Sequence, residues 1–426
     1  MPSWNVMRGC YPVTAIGSTS IDVERPGYGG PMLGSDLGIA LRAAQSAPQS
    51  VPDVMRRVAA ALGATDVVVY VVDFAQTTLE PLPDRGAHAE VPQSEPVATS
   101  MAGRAFVDGA VAVAPRGDSS RIWAPIVEGS DRTGVLGLTV PDATDDLLAA
   151  SEELGLLAGH LIATHARTTD LYDLHRRRRS LSLAASMQWD LLPPLVFRTP
   201  AITIAGILEP AYDVGGDCFD YALNDQLLSL VIFDAVGHGV ESSLVAALGI
   251  GCYRHNRREA HSLEQIHAAL DEAIAEHFPR LAFATGQLVE IDVETGVLTW
   301  TNAGHPAPLL IRGGRVVGEL ACRPTLAWGL GTTFSDPAPV TLATEHLEPG
   351  DSVLFYTDGV TEAHVPGEEE FGIERLADLA GRHAADEVEP AEVVRHLVRA
   401  VLDYKTDRLD DDATLVLVRW DGPSSR

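Results

Sequence analysis

Cysteine is scarce in this chain of 426 residues. Cys10, Cys218, Cys252 and Cys322 are far apart and form no CxxC pair. That argues against a disulfide framework or a thiolate zinc site and fits a reducing compartment. Basic residues are also few: 31 Lys and Arg stand against 59 Asp and Glu, a net charge of −28. Surfaces for nucleic acid or anionic lipid draw their affinity from Lys and Arg, so neither partner is expected. The same negative field would attract cations to any metal site. No apolar run reaches the roughly 20 residues of a membrane span. The N-terminus lacks the basic-then-apolar pattern of a signal peptide. The expectation is a cytoplasmic protein with no membrane partner. Apolar character is ample, at 46% of residues. This excludes global disorder, and the length allows two or three domains.

Residues 1–47 are rich in Gly, Pro and Ser without a sustained period and read as a flexible leader. Residues 48–145 read as one small α+β domain. Val54, Val58, Ala61 and Leu62 share a helix face. "DVVVYVVDF" (66–74) is a β-branched strand, with "TTLEPL" as its hairpin partner. "VATSMAGRAFVDGAVAV" gives a short helix, a glycine turn and a strand. "RIWAPIVEGSDRTGVLGLTV" gives two strands around a polar turn. Residues 146–194 are then expected as a helical linker. Leu154, Leu157, Leu161, Leu171, Leu174 and Leu181 suit an amphipathic connector or a two-stranded coiled coil, and hence a homodimer. Gly155 and Gly159 weaken its start. The basic run "HRRRRS" (175–180) reads as a solvated helix face, the alternative being a contact with acidic surface on a neighbouring domain or subunit. Pro193 and Pro194 end the helix.

From 195 to 420 short apolar strands alternate with strong turns, and helices are expected at 240–256, 262–278, 371–382 and 390–404. This is a layered α+β pattern rather than regular βαβ winding. Within it four acidic motifs share one context, a strand end beside small residues. "YDVGGDCFDY" carries Asp217, "LVIFDAVGHG" carries Asp234, "SVLFYTDGVTEA" carries Asp358, and "RLDDDATLVLVRW" carries Asp410, Asp411 and Asp412. If the strands are neighbours, their rims gather the acids. Clustered carboxylates raise one another's pKa or bind cations. With only oxygen ligands on offer, the fitting ions are Mg²⁺ or Mn²⁺. Two such ions about 3.5–4 Å apart can share a water, lower its pKa and take up charge on a phosphoryl oxygen. Taken singly, an Asp before Gly is usually a turn residue or a helix cap.

Taken together, "VGGDCFD", "FDAVGHG", "TNAGHPAPLL", "FYTDGVTEA", "EEFGIERL" and "DDATLVLV" resemble, in order, the motifs of metal-dependent protein phosphatases of the type 2C superfamily, most closely the SpoIIE/RsbU-like branch. The resemblance covers about 195–420. It implies an αββα sandwich of two antiparallel sheets flanked by helices, two Mn²⁺ or Mg²⁺ ions at one edge, and hydrolysis of phosphoserine or phosphothreonine on a protein. Carried over, Asp234 would bridge both ions, the Ala235 carbonyl would complete one site, and Asp358 and Asp411 would hold the other. Asp217 would orient water at the ions rather than ligate strongly. Asp410 leaves the register of the last acid open by one residue. Ala235 stands where Val or Gly is usual, and "CFD" replaces a commoner aromatic pair. Cys218 is expected as a small buried hydrophobe rather than a redox thiol. His238 could contact substrate or act as an acid, or be structural. His305 is expected to shape the site edge.

Residues 48–145 resemble a GAF sensor domain, by pattern more than by motif. The NKxxFxxxDE signature of cyclic-nucleotide binders is absent, and no Cys is present for a thioether-linked chromophore. A small-molecule ligand and a purely protein-binding role both remain open. The resemblance implies a sensor-regulated phosphatase acting on an anti-sigma-factor antagonist, a small STAS-domain protein, in bacterial partner switching. The rival readings are a catalytically silent phosphatase-fold binding protein and a hydrolase of small phosphate esters.

Overall fold

The computed structural model describes residues 47–48, 51–84, 91–129, 131–213, 215–278, 282–331, 339–365, 369–386, 388–405 and 411–423. The expected leader, apart from residue 47, lies outside these residues, as does Asp410. Residues 43–426 pack as one unit.

The N-terminal part is built on one antiparallel sheet of β1 (Asp66–Val72), β2 (Thr78–Pro81), β3 (Glu95–Pro96), β4 (Ala112–Arg116), β5 (Ser119–Glu128) and β6 (Asp131–Val140). The strand order is β3-β2-β1-β6-β5-β4. The helix Met101–Asp108 starts where the Ser100 hydroxyl accepts from the Gly103 amide and stops at Gly109 in the left-handed conformation. That is the economical way to open and close a short helix.

The expected single connector is three helices, Asp145–Ala166, Leu171–Arg176 and Leu183–Leu191. The first does not form a coiled coil in this chain. Its Leu154, Ala158, Leu161 and Ile162 join the core of the N-terminal sheet. Gly155 and Gly159 are the reason it can lie so close. A Cβ on either would come within 2.1 Å of the Pro125 carbonyl oxygen or 2.2 Å of the Val127 carbonyl oxygen. The glycines taken to weaken the helix are therefore its contact face. By length and composition this helix is also apolar enough to cross a membrane, with 39% of its most apolar window buried. Its Leu154, Ala158, Leu161 and Ile162 are buried in the N-terminal core, whereas Leu156 is exposed.

The C-terminal part has two antiparallel sheets. Its strands are β7 (Val196–Arg198), β8 (Ile202–Glu209), β9 (Asp217–Asn224), β10 (Leu227–Ala235), β11 (Ala284–Asp292), β12 (Val297–Ala303), β13 (Leu309–Arg312), β14 (Arg315–Glu319), β15 (Ala343–His346), β16 (Ser352–Tyr356) and β17 (Ala413–Trp420). One sheet runs β15-β12-β11-β10-β9, the other β14-β13-β16-β17-β8-β7. Side chains alternate faces along a strand, and the burial follows this rule. On β10, Leu228, Leu230 and Ile232 enter a core shared with Val416 and Val418 of β17. The intervening Val231, Phe233 and Ala235 pack with Val245, Ile250 and Ile266, which lie on the helices Val240–Arg258 and Leu263–His277. On β17, Leu415 and Leu417 pack instead with Leu376, Leu397 and Val401, from the helices Ile373–Ala385 and Pro390–Tyr404. Both faces of both strands are buried, which explains their nearly unbroken apolar runs. The four helices expected here begin and end within about three residues of the observed ones.

The basic run is part solvated and part engaged. It leaves the helix Leu171–Arg176 and crosses the junction of the two parts. Arg176 donates to the Val72 carbonyl at 3.0 Å and lies over the Phe74 ring at 4.4 Å. Arg178 donates to the Thr78 hydroxyl at 2.8 Å. Arg179 stands 3.4 Å from Asp213 and 4.8 Å over Tyr212. Residues 177–180 are exposed, as a solvated face requires; the acidic partners of the run are Asp213 and Glu80, the latter 3.7 Å from Arg178.

Candidate active site

The sheet register explains the first two acids. In the β9–β10 pair Asp217 stands directly opposite Asp234. The second pair comes from the facing sheet, where Asp358 follows the end of β16 and Asp411 precedes β17, its antiparallel neighbour. The rim is therefore shared between two sheets, rather than lying along one. Burial raises the Asp234 carboxyl to about 7, reinforced by the charges of Asp358 and Asp411. Burial and Asp234 likewise hold Asp217 well above the usual carboxylate range. Burial and Asp411 raise Asp358.

Threonines hold these acids in place. The hydroxyls of Thr357 and Thr414 donate to Asp217 Oδ2 at 2.6 and 2.7 Å. Thr285 donates to Asp234 Oδ2 at 3.4 Å, and its oxygen lies 2.8 Å from His305 Nδ1. With the Thr285 proton directed at Asp234, His305 must be the donor in that second contact. Burial pushes the His305 pKa down to about 3, so the ring is neutral and cannot serve as a cationic acid. It is a positioning residue for Asp234. The sequence reading missed Thr285, Thr357 and Thr414. The last two stand inside the quoted "YTDG" and "DDAT" strings, whereas Thr285 has only its register opposite Asp234 to mark it.

Asp411 and Asp412 are told apart by their partners. Asp412 Oδ2 accepts the amides of Gly215 and Gly216, each at 2.7 Å, and so clamps the double-glycine turn. Asp411 is exposed and its Oδ1 accepts only the Asp412 amide, at 2.9 Å, among the described residues. The glycines are required by space. A Cβ on Gly216 would come within 2.4 Å of the Ala235 carbonyl oxygen, and one on Gly359 within 1.9 Å of the Asp412 carbonyl oxygen. Gly237 and Gly239 take positive φ of 85° and 83°, which leaves His238 exposed in the loop between them. Cys218 is fully buried, and burial pushes its thiol up to about 12, so it packs as a hydrophobe.

The donor set fits hard divalent cations. It offers carboxylates and one backbone carbonyl, and none of the four rim acids forms an ion pair among the described residues. Asp220, three residues beyond Asp217, is the contrast: Arg254 and Arg257 reach it at 2.7 and 2.8 Å. Among the described residues no three His, Cys, Asp or Glu side chains stand close enough to enclose an ion as they are. The fit is one of charge and donor chemistry, not of a finished cage.

Beside the rim lies a cleft of about 670 Å³. It is bounded by Asp411 and Asp412 on one side and His238–Val240 on another. The helix Pro390–Tyr404 and the turn at 75–77 from the N-terminal part complete it.

The acid rim is thus shared by two antiparallel sheets with helices packed outside them. Residues 224–421 match the SpoIIE family, Stage II sporulation protein E. Protein IcfG of Synechocystis sp. is 24% identical over an alignment covering 57% of this chain and 41% of IcfG. The phosphoserine phosphatase RsbU of Bacillus subtilis is 23% identical over 57% of this chain and 70% of RsbU. The solved PP2C domain of SiaA from Pseudomonas aeruginosa is 23% identical, with a TM-score of 0.47, covering 56% of this chain and 94% of that domain. The chain thus spans less than half the length of IcfG. Residues 51–176, with the N-terminal sheet, lie outside the SpoIIE match.

Proposed function

We propose that residues 195–420 form an αββα protein serine/threonine phosphatase that depends on two divalent cations, Mn²⁺ or Mg²⁺. One observation carries the reading: four acids converge from two sheets, the carboxyls of Asp217, Asp234 and Asp358 are raised, and none of the four forms an ion pair with an arginine or lysine among the described residues. Such a group is stable and ionised only with cations present. Asp234, with the Ala235 carbonyl, would hold both ions, and Asp358 and Asp411 would complete one of them. Bound there, the ions supply positive charge to a phosphoryl group and lower the pKa of water.

The chain's own residues do the rest. Thr357 and Thr414 fix the Asp217 carboxylate, which orients water. His305 acts through Thr285 to fix Asp234. Asp412 keeps the Gly215–Gly216 turn against the loop at 235–239, so that the backbone can approach the ions. The cleft admits the phosphorylated side chain.

RsbU is named a phosphoserine phosphatase, and this supports a phosphoprotein substrate. Extending the resemblance, the substrate is an anti-sigma-factor antagonist of STAS type in a bacterial cytoplasmic partner-switching circuit. The N-terminal sheet and its helices act as a GAF-like sensor. The test is turnover of a phosphoserine protein or peptide by the purified chain with Mn²⁺, with Mg²⁺ and with EDTA, alongside Asp234→Asn. Turnover that requires metal and disappears in a folded Asp234→Asn protein is expected. Turnover that survives both EDTA and the substitution refutes the reading.

A further inference from the structure

The cleft beside the acid rim is mixed in charge. On a chain of net −28, its lining sets Arg179, Arg395 and Arg399 beside Glu209, Asp213, Asp411 and Asp412. Arg395 is already committed. It lies 2.5 Å from Glu392 and 2.7 Å from Gln76 Oε1. Arg399, one helical turn further on, is exposed. Among the described residues it has no hydrogen bond or ion pair. Like charges four apart on a helix repel, so the pair carries a standing cost that an anion would relieve. Arg179 lies over the Tyr212 ring at 4.8 Å and 3.4 Å from Asp213, with both side chains of that ion pair more than half exposed. Pairs of that kind are weak and readily exchanged. Apolar surface completes the cleft: Leu183 is 65% and Val240 41% exposed.

We propose that this cleft is the docking channel for the phosphorylated segment of the substrate protein, and that Arg399 and Arg179 select acidic side chains flanking the phosphorylated residue. The proposal rests on the phosphatase reading above. The volume, about 670 Å³, suits a few residues of extended chain rather than a folded surface. Arg399 and Arg179 are the exposed cationic positions in this mixed lining, open to an acidic side chain. One wall comes from the N-terminal part. Its turn is locked by Asp73, which accepts the Thr77 and Thr78 amides at 2.7 and 2.8 Å. Gln76 in that turn is the residue tied to Arg395. The channel is thus complete only when the two parts are docked.

The global charge makes the test sharp, because long-range attraction alone would favour a basic peptide. Two phosphoserine peptides are compared on the full chain with Mn²⁺, one flanked on both sides by aspartates and one by lysines. p-Nitrophenyl phosphate is the reference. The aspartate peptide is expected to show a kcat/KM about tenfold higher, carried by KM, which is the scale of one charge-assisted contact. Arg399→Glu is expected to reverse the preference, and Arg179→Glu to reduce it. Arg399→Gln, with its fold checked by circular dichroism, serves if the reversal does not fold. Fluorescence anisotropy of the labelled peptides on Asp234→Asn protein reads binding without turnover and should give the same order. A preference for the lysine peptide, or a preference unmoved by both Arg399 variants, overturns the proposal. If neither the peptides nor p-nitrophenyl phosphate is hydrolysed, the phosphatase reading fails. The anisotropy then decides the docking proposal separately: equal affinity for both peptides overturns it.

Discussion

Replacing Asp412 separates a clamp from a ligand. Its Oδ2 receives two buried amides, from Gly215 and Gly216, at 2.7 Å each. Asp412→Ala leaves both without an acceptor, at about 2 kcal/mol each. Burial raises the Asp412 carboxyl above its ordinary range despite these hydrogen bonds. Deleting the charge therefore returns about 1 kcal/mol, for a net loss of about 3 kcal/mol. Asp412→Asn keeps an acceptor oxygen and removes the charge, so it should lie within about 1 kcal/mol of the parent. Asp411→Ala removes an exposed side chain and should cost less than about 0.5 kcal/mol, while weakening Mn²⁺ binding. The assay is urea unfolding followed by circular dichroism in EDTA, so that metal adds nothing, with the free energy extrapolated to water. Equal losses for Asp411→Ala and Asp412→Ala would refute the division of labour between them. So would an Asp412→Asn protein as unstable as Asp412→Ala.

Glu209 is buried, and burial with the Asp73 charge nearby lifts its carboxyl to about 7 against the opposing pull of the Ala211 amide and Arg179. A raised carboxyl binds its proton in the native state, so its contribution is full below pH 4.5 and is lost as pH rises to about 7. The difference in unfolding free energy between the parent and Glu209→Gln should change by about 3 kcal/mol over that window, and a flat difference would contradict it. Phe74 packs 4.8 Å from Trp189 and 6.5 Å from Tyr212 across the junction. Phe74→Ala should cost about 3 kcal/mol and open the 176–179 arginines to trypsin; an unchanged digestion pattern would count against the junction. Gly359→Ala forces a Cβ within 1.9 Å of the Asp412 carbonyl oxygen and should cost about 3 kcal/mol with loss of turnover. Gly251→Ala, in a helix with nothing within 4 Å, should instead gain about 0.5–1 kcal/mol; matching effects at the two glycines would refute the packing argument.

The strands and helices of the C-terminal part were legible because each has one dominant signal. β10 and β17 are apolar on both faces, and Ser262 with Gln265 forms a capping box that marks its helix start. The acids were legible as strand-end residues. That they come from two sheets was not, because strand order across a sandwich leaves no local trace. The connector was misread for a related reason. Its leucine spacing suits a partner helix or a sheet equally, and Gly155 and Gly159 decide between them only once β5 is seen beneath them. The arginines at 176–179 look solvated in sequence. Their partners, Val72, Thr78 and Asp213, lie about 30 to 100 residues away and are invisible to any local pattern.

Charge is unevenly settled across the molecule. Buried Asp220 has two arginines. Buried Asp351 accepts from Arg312 at 2.6 and 2.9 Å. Asp66 lies 3.1 Å from Arg121, a side chain that is itself buried. Buried Asp73 is satisfied by backbone amides. With 31 cations for 59 acids, not every acid can have an arginine, and Asp220, Asp351 and Asp66 are among those that do. Asp217, Asp234, Asp358 and Asp411 receive none among the described residues. An unpaired buried carboxylate is costly, and here Asp217 is buried, Asp234 and Asp358 are half-buried and Asp411 is exposed. Four acids left together without an ion pair among the described residues suit the cation-dependent reading proposed above. The arginines that do stand near them, Arg179 and Arg399, line the cleft and are open to an incoming anion. Metal at the rim and anion in the cleft are then two halves of one electrostatic arrangement, matched to a phosphorylated segment whose own charges are negative throughout.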